Sequence, residues 1–482
     1  MMPGEFIVPT IEAAFLMVAA TAVLLVASTV VAVDPSKRGR VFRGWGTSLC
    51  WWANVVGGWE GKDVRAELMD LVFDPKKGLG LNIARYNIGG GEHPDHLHCY
   101  RPGGAVPGFR LGPEEPYDWE ADANQRWVLL EGRKRGVNIV EAFSNSPPWW
   151  MTISGSCTGR CEQRPAANNL RDDMYPAFAD YLTEVVREYR DRYGVVFDTL
   201  TPLNEPSSVW WIQGHNQEGC RFTVDKQQMI LKETARELVA KELSTKLSAP
   251  EEYSIDETVA SWGEYDVETR EAVYQINTHS YDGAGRAAVR EIARDARKPL
   301  FVSEYGNGID GEFGSALELA RVIALDLNEL KCEGWVCWQA VGNADHANDW
   351  HALQVSFARQ DGIAIRKQYW ALLHFTRHVR PGSVIMDTPA GEAVIALNPA
   401  GDLVIVAANR GTCERQVSFD LSAFPELAKS GRWVVTTEEE SYAERGPVAI
   451  EDRKLSVTLC PQSINTLVVS SISSPDGASA GC

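Results

Sequence analysis

From about Arg43 to Val379, short apolar runs alternate with amphipathic, charged stretches, and nothing else in the chain constrains the fold as much. Such alternation marks parallel strands joined by crossover helices. Eight runs read as strands: Gly44–Ser48, Leu81–Tyr86, Asn138–Phe143, Phe197–Leu203, Tyr253–Asp256, Gln275–His279, Leu300–Ser303 and Gly334–Trp338. Between them, Tyr175–Tyr193, Gln227–Lys246 and Ser315–Leu330 carry apolar residues at the three- and four-residue spacing of helices. Eight such units predict an α/β fold of the (β/α)8 TIM-barrel type. A doubly wound open sheet is the alternative, but no Gly-x-Gly-x-x-Gly opens a helix after a strand. Gly89, Gly90 and Gly91 lead instead into a His/Pro-rich loop, which argues against a dinucleotide site.

After Pro381-Gly382 the pattern becomes short strands separated by turns, with little helix, as in a small antiparallel β domain. The expected organisation is therefore an N-terminal segment 1–32, a barrel 33–380, a β domain 381–470 and a polar, disordered tail 471–482. The N-terminal segment holds an apolar run, Ala13 to Val33, long enough to span a bilayer. Val30-Val31-Ala32 has the small residues of a signal cleavage site. Glu5 and Glu12 ahead of the run, and Lys37, Arg38 and Arg40 after it, suit an uncleaved anchor instead. The cleavage site favours a removed signal peptide, and hence a secreted, extracellular protein that is free of the membrane unless the segment stays uncleaved.

Ten cysteines fit that compartment, where disulfides persist. Cys157 with Cys161, and Cys332 with Cys337, are close enough in sequence for local bridges, although Cys337 in an apolar strand also reads as a buried thiol. A net charge of −18 excludes a nucleic-acid partner, whose phosphates would be repelled. Sixteen tryptophans supply flat faces of the kind that sugar clefts stack against pyranose rings, although most are expected in the core.

Within the barrel pattern, two strands deliver a glutamate at their ends. Phe197–Leu203 runs into Asn204-Glu205-Pro206, and Leu300–Ser303 runs into Glu304-Tyr305-Gly306. Active-site groups of such barrels sit where strands end. Cleaving a glycosidic bond needs a proton donor for the leaving oxygen and a second carboxylate on the ring's other face. Strands four and seven lie on opposite sides of a barrel, so Glu205 as donor and Glu304 as attacking group can bracket one bond. Arg85, at the end of strand two, is placed to hold the Glu304 charge. Two carboxylates and water suffice for this chemistry, and no metal or organic cofactor is implied. His93, His96, His98 and Cys99 cluster after strand two, but their irregular spacing in a Gly/Pro-rich loop reads as a substrate-side loop rather than a zinc site. Asp345, His346, Asn348, Asp349, Trp350 and His351 follow strand eight, where a loop meets substrate.

Leu203-Asn204-Glu205-Pro206, Ser303-Glu304-Tyr305-Gly306 and Ser144-Asn145-Ser146-Pro147-Pro148-Trp149-Trp150-Met151, in this chain, closely resemble glycoside hydrolase family 30. The resemblance runs from about Val33 to Val469 and includes Pro461-Gln462-Ser463-Ile464-Asn465-Thr466, similar to a strand of the family's β-sandwich side domain. It implies a retaining double displacement with Glu205 as acid/base and Glu304 as nucleophile. It also implies Asn204 on the sugar's 2-hydroxyl and Tyr281 as a partner for the nucleophile; the expected partner is a polysaccharide or oligosaccharide substrate, and the expected state a monomer. Gly46 to Asn54 with Gly57-Gly58-Trp59 looks like the branch that cleaves β-1,6-linked galactan in arabinogalactan side chains. Trp51 and Trp52, after strand one, are candidates for the glycone pocket, because galactose's axial hydroxyl leaves one face apolar; core packing of at least one is the alternative. Trp150 and Trp338 are candidates for floor and wall, with Asn145, Arg85 and His279 as further substrate-binding residues. Trp210 and Trp211 follow Glu205 on the side of the leaving group. Other family activities (β-1,6-glucanase, glucosylceramidase, xylanase) and a catalytically silent carbohydrate-binding protein are the competing functions.

Overall fold

A computed structural model describes residues 29–470, apart from 94–98, 100, 161–166, 309–310, 346–349 and 388–392. Most of the apolar N-terminal run, the polar tail, His96, His98, Cys161, His346, Asn348 and Asp349 lie outside the described residues.

Eight parallel strands close into a barrel: β1 (Gly44–Ser48), β2 (Ile83–Asn87), β3 (Ile139–Phe143), β4 (Thr199–Thr201), β5 (Lys246–Glu252), β6 (Val273–His279), β7 (Leu300–Tyr305) and β8 (Gly334–Gln339). The first and last strands pair, Gly334 opposite Gly44, which completes the closure. Outward-facing Ala84 and Tyr86 of β2 join the main apolar core under the helices. Inward-facing Ile83, with Ile139, Phe301 and Val336, forms a separate apolar cluster inside the barrel. Above that plug the interior is polar. The helix Tyr175–Tyr193 stands where its apolar spacing places it, with Phe178, Leu182, Val185 and Tyr189 buried and Gly194 closing it in the left-handed region.

The fifth strand differs from the sequence expectation. Tyr253–Asp256 is not a strand: Ser254 caps the helix Ile255–Glu264 through a capping box with Glu257. The preceding helix stops at Ala240, and β5 follows at Lys246. The sequence Lys-Leu-Ser-Ala-Pro-Glu-Glu has no apolar run, and a proline within it argues against a central strand.

The side domain is a ten-stranded sheet, antiparallel except at one edge, with its own apolar core of Ile395, Ile405, Val417, Phe419, Leu455 and Leu467. The long strand Ala443–Glu451 pairs with Ser430–Thr436 along its first part and with Lys454–Leu459 at its end, so it joins the two layers of a β-sandwich. The N-terminal segment clasps both edges of this sheet. Thr29–Ala32 lies parallel to Arg415–Asp420 at one edge, and Arg38–Val41 pairs with Val384–Met386 at the other. A barrel boundary at residue 33 therefore divides the side domain, and the barrel itself begins at Gly44. The outer face of the sandwich packs on the helix Lys367–Thr376, where His374 bridges Thr466 at 2.7 Å and Thr436 at 2.9 Å. No helix among the described residues is long and apolar enough to cross a membrane.

Cys332 and Cys337 are separate buried thiols, so they form no local bridge, and no disulfide occurs among the described residues. Cys157 instead faces Cys99, with their sulfurs 3.8 Å apart.

Candidate active site

Glu304 sits in β7 at a bulge. Val302 and Glu304 are opposite consecutive residues of β6, Thr278 and His279, which leaves Ser303 as the extra residue. Bulges re-aim side chains beside active sites, and this one turns both Ser303 and Glu304 inward. β5 has the same device, since Pro250 and Glu252 are opposite consecutive residues Asn277 and Thr278, with Glu251 between them at φ 65°. Glu205, after β4, also has a left-handed backbone, φ 46°, which is uncommon outside glycine. Three bonds hold it there: its N–H donates to the Glu251 carbonyl at 2.8 Å, and its own carbonyl accepts from the Trp211 indole at 3.0 Å and the Ser208 N–H at 3.1 Å.

Arg85 is fully buried at the centre of the network. Its guanidinium donates to Glu304 Oε2 at 2.7 Å, Asn204 Oδ1 at 2.9 Å and Glu251 Oε2 at 3.0 Å, and lies 3.6 Å over the Phe143 ring. Tyr281 donates to the other Glu304 oxygen at 2.9 Å. Thus both oxygens of Glu304 accept from a fixed donor. His279 Nδ1 lies 3.4 Å from Glu205 and 3.7 Å from Glu304, while Nε2 meets Glu251 at 3.2 Å. A carboxylate oxygen of Glu205, one of Glu304 and a ring nitrogen of His279 all lie within 4.8 Å of one another.

Burial works to discharge His279, but Glu304, Glu205 and Glu251 overcome it and push its pKa up to about 10, so the ring is an imidazolium at neutral pH. Burial likewise raises the Glu251 carboxyl, yet Arg85 first and His279 after it draw it down to about 2. Burial lifts Glu304 above the ordinary carboxylate range against the pull of His279 and Arg85. Burial and then the charges of Glu304 and Glu205 push the Tyr281 phenol well up, so it stays a donor.

A cleft of about 700 Å³ opens over these groups. Asn204, Glu205, Tyr281, Glu304, Trp51 and Trp338 line it as the sequence predicts, and Trp51 meets Trp338 edge-on at 5.0 Å. Arg85 and His279 lie beneath the cleft and touch the carboxylates rather than line it. Trp52 borders the cleft but belongs to the main core, with its indole N–H on the Ser48 carbonyl. Asn145 is buried away from the lining residues, with its amide toward the Cys50 sulfur at 3.6 Å. Trp150 is also absent from the lining: its indole donates to the Arg110 carbonyl at 3.0 Å and its ring packs on the core. Trp350 and His351 do line the cleft, and His93 rests edge-on against Trp149 at 4.2 Å.

The sequence reading missed Glu251 and Glu141. Glu141, on β3, lies 3.4 Å from Arg85 Nε and accepts from Asn277 at 2.7 Å and Thr199 at 2.8 Å. The available signal was a charged residue in the middle of the apolar run Asn138–Phe143, a position that burial makes costly unless it is paired.

Besides Glu304 and Asp326, burial raises four further carboxyls on or around the barrel: Asp122 to about 7, Glu141 to about 7 (helped by Glu251), Glu252 to about 7 and Glu218 to about 8. Unfolded carboxyls titrate near about 4, so above that pH the native chain binds more protons than the unfolded chain and stability falls as pH rises. His279 acts in the same sense, its contribution being complete below about 6.5 and lost through about 10. Glu251 acts oppositely, and its contribution is lost only as pH falls from 4.5 through about 2. Burial holds His351, His374 and His378 down to about 4, about 3 and about 4, so they favour the native state increasingly as pH rises toward about 6.5 and offset the carboxyls there. Calorimetric melting is therefore expected to change little from about pH 5 to about 6.5 and to decline from there toward about pH 8; a midpoint that rises between about pH 6.5 and about pH 8 would contradict these assignments.

The sequence pattern of O-Glycosyl hydrolase family 30 matches residues 28–293. An endo-beta-1,6-galactanase of Hypocrea rufa is 29% identical over 476 residues, covering 92% of this chain and 95% of that protein. An exo-beta-1,6-galactobiohydrolase of Bifidobacterium longum is 24% identical, over 82% of this chain and 35% of that larger protein. Among solved structures, the catalytic domain of the family 30 xylanase C from Talaromyces cellulolyticus superposes with a TM-score of 0.71 at 17% identity, covering 92% of this chain and all of that one.

Proposed function

Because the chain belongs to glycoside hydrolase family 30, we propose that it is a retaining endo-β-1,6-galactanase acting on the galactan side chains of arabinogalactan. Glu205 protonates the glycosidic oxygen while Glu304 attacks the anomeric carbon, forming a glycosyl ester. Glu205 then takes a proton from water as the water attacks the same carbon and releases Glu304. Arg85 and Tyr281 hold the attacking carboxylate in one orientation, and Asn204 stands beside it in the cleft to meet the sugar.

The observation that carries the substrate is the similarity to the Hypocrea rufa galactanase, which extends over nearly the full length of both chains. Trp51 and Trp338, which meet at a right angle in the cleft, support it by offering an apolar corner for the unsubstituted face of galactose. Retention is supported by the approach of Glu205 and Glu304 oxygens within 4.8 Å, since retaining carboxyls stand about 5–5.5 Å apart and inverting ones about 6.5–9.5 Å.

Product analysis on β-1,6-galactan, β-1,6-glucan and glucuronoxylan tests the substrate. Release of galacto-oligosaccharides of several lengths from galactan is expected, and no release from galactan would sink the assignment. Proton NMR of the first products is expected to show the β-anomer before mutarotation; the α-anomer would exclude double displacement.

The apolar run before Val33 supports export of the protein with that segment removed. Thr29–Ala32 is docked on the sandwich edge with Val31 buried, so cleavage after Ala32 would strip a strand that earlier cleavage would keep. N-terminal sequencing of exported protein distinguishes the two.

A further inference from the structure

Of the sixteen tryptophans, all within the described residues, only Trp210 at 39% and Trp350 at 41% are exposed, and both line the catalytic cleft. An exposed indole costs solvation of its apolar face, so two of them confined to one cleft point to a ligand rather than to chance. Trp210 is moreover held out by its neighbour. Trp211 is buried: its ring lies so close to Gly219 that a Cβ there would come within 2.1 Å, and its backbone presses on Gly159 at 2.2 Å by the same measure. Its indole N–H binds the carbonyl of Glu205. With Trp211 locked inward, the adjacent side chain faces the cleft.

Trp210 also belongs to a file of aromatic rings that begins at the nucleophile. Tyr281, whose hydroxyl binds Glu304, stacks on Tyr253 at 5.0 Å and 11°. Tyr253 meets Trp210 edge-on at 5.0 Å. Tyr253 and Trp210 line the cleft together with Glu205. The loop carrying Trp210 grows from the Glu205 strand. A general acid must stand within hydrogen-bond reach of the oxygen it protonates, so the sugar that departs lies on Glu205's side of the cleft. Trp51 and Trp338 form the opposite corner, and Trp350 packs over Gly306 and Gly308 beyond the nucleophile.

We propose that Trp210, backed by Tyr253, is the platform for the first sugar of the leaving group, a neutral pyranose that presents its apolar face to the indole. The proposal rests on the glycosidase reading and adds a binding site for the departing chain. It explains how a chain bound across the cleft is cut internally: its glycone end is gripped between Trp51 and Trp338, and its leaving portion is gripped on Trp210.

The test compares two substrates that share a glycone. One is a β-1,6-galacto-tetraose, whose leaving group is sugar; the other is an aryl glycoside of β-1,6-galactobiose, whose leaving group is not. Trp210→Ala is expected to lower kcat/KM on the tetraose roughly ten- to hundred-fold, as loss of a tryptophan anchor does. On the aryl glycoside the change should stay within about two-fold, because no contact of the glycone is touched. Trp210→Phe should restore most of the tetraose activity. Equal losses on the two substrates would make Trp210 a structural residue, and an undiminished tetraose rate would remove it from the site; either result overturns the proposal. If the wild-type protein prefers another β-glycan, the galactanase reading fails by itself, and the same pair of leaving groups built on that sugar still tests Trp210.

Discussion

Glu304→Gln is expected to lower hydrolysis by about 10⁴-fold or more, the scale on which removing an attacking residue acts, or about 5.4 kcal/mol of barrier. The amide is nearly isosteric with the carboxylate and keeps one oxygen to accept from Arg85 or Tyr281, but it cannot form the glycosyl ester. Oligosaccharide binding should therefore persist, because Trp51, Trp338, Asn204 and Glu205 remain around the cleft. Tryptophan-fluorescence titration with galacto-oligosaccharides beside a turnover assay separates the two quantities. Unchanged turnover would refute Glu304 as nucleophile, and loss of binding together with turnover would mean that the amide had disordered the site. The same pair of measurements disposes of a catalytically silent binding protein, whose wild-type form would already behave like the variant.

The overall fold was legible because its determinants are local. Seven barrel strands and the helix Tyr175–Tyr193 announce themselves by apolar runs and helical spacing, and the two glutamates that meet in the cleft stand at strand ends. Two kinds of information were not local. Barrel strand β5 holds two glutamates and a proline, and its identity comes from pairing with β4 and β6 rather than from its own composition. The N-terminal segment reads as the approach to the barrel, yet it supplies both edge strands of a domain whose remaining strands lie more than 340 residues later. Trp150 shows the converse error. It stands in a motif beside the site, but the short helix Trp149–Met151 turns it to the Arg110 carbonyl and away from the cleft. A residue's place in a motif says which loop it belongs to, and the turn of that loop decides where the side chain points.

The polar interior of the barrel leads to the second large effect, at a residue the sequence concealed. Glu251 accepts from Ser303 at 2.7 Å, Arg85 at 3.0 Å and His279 at 3.2 Å on one oxygen, and from Asn277 at 2.5 Å on the other. Every partner is a donor, so a glutamine amide has no orientation that avoids setting N–H against N–H. Arg85 and His279 in turn contact Glu304 and Glu205, so on the proposed mechanism Glu251 is a positioning residue for both carboxylates. Glu251→Gln is expected to lower kcat by about 10²- to 10³-fold with little change in KM, an effect of misplaced catalytic groups. It should also destabilise the fold by about 3–5 kcal/mol, since it leaves buried cations without their counter-charge. Stability alone does not distinguish a positioning role from a structural one, but the titration of His279 does. His279 faces Glu205, Glu251 and Glu304, with Arg85 the cation beside them and Glu141 across the network. Removing the Glu251 charge leaves the imidazolium with fewer anions to overcome its burial, so its pKa must fall from about 10. The titration of the His279 ring, followed by NMR, is accordingly expected to move to lower pH in Glu251→Gln and to return most of the way in Glu251→Asp. A titration curve that superimposes on wild type would show that Glu251 holds the barrel together without tuning its chemistry.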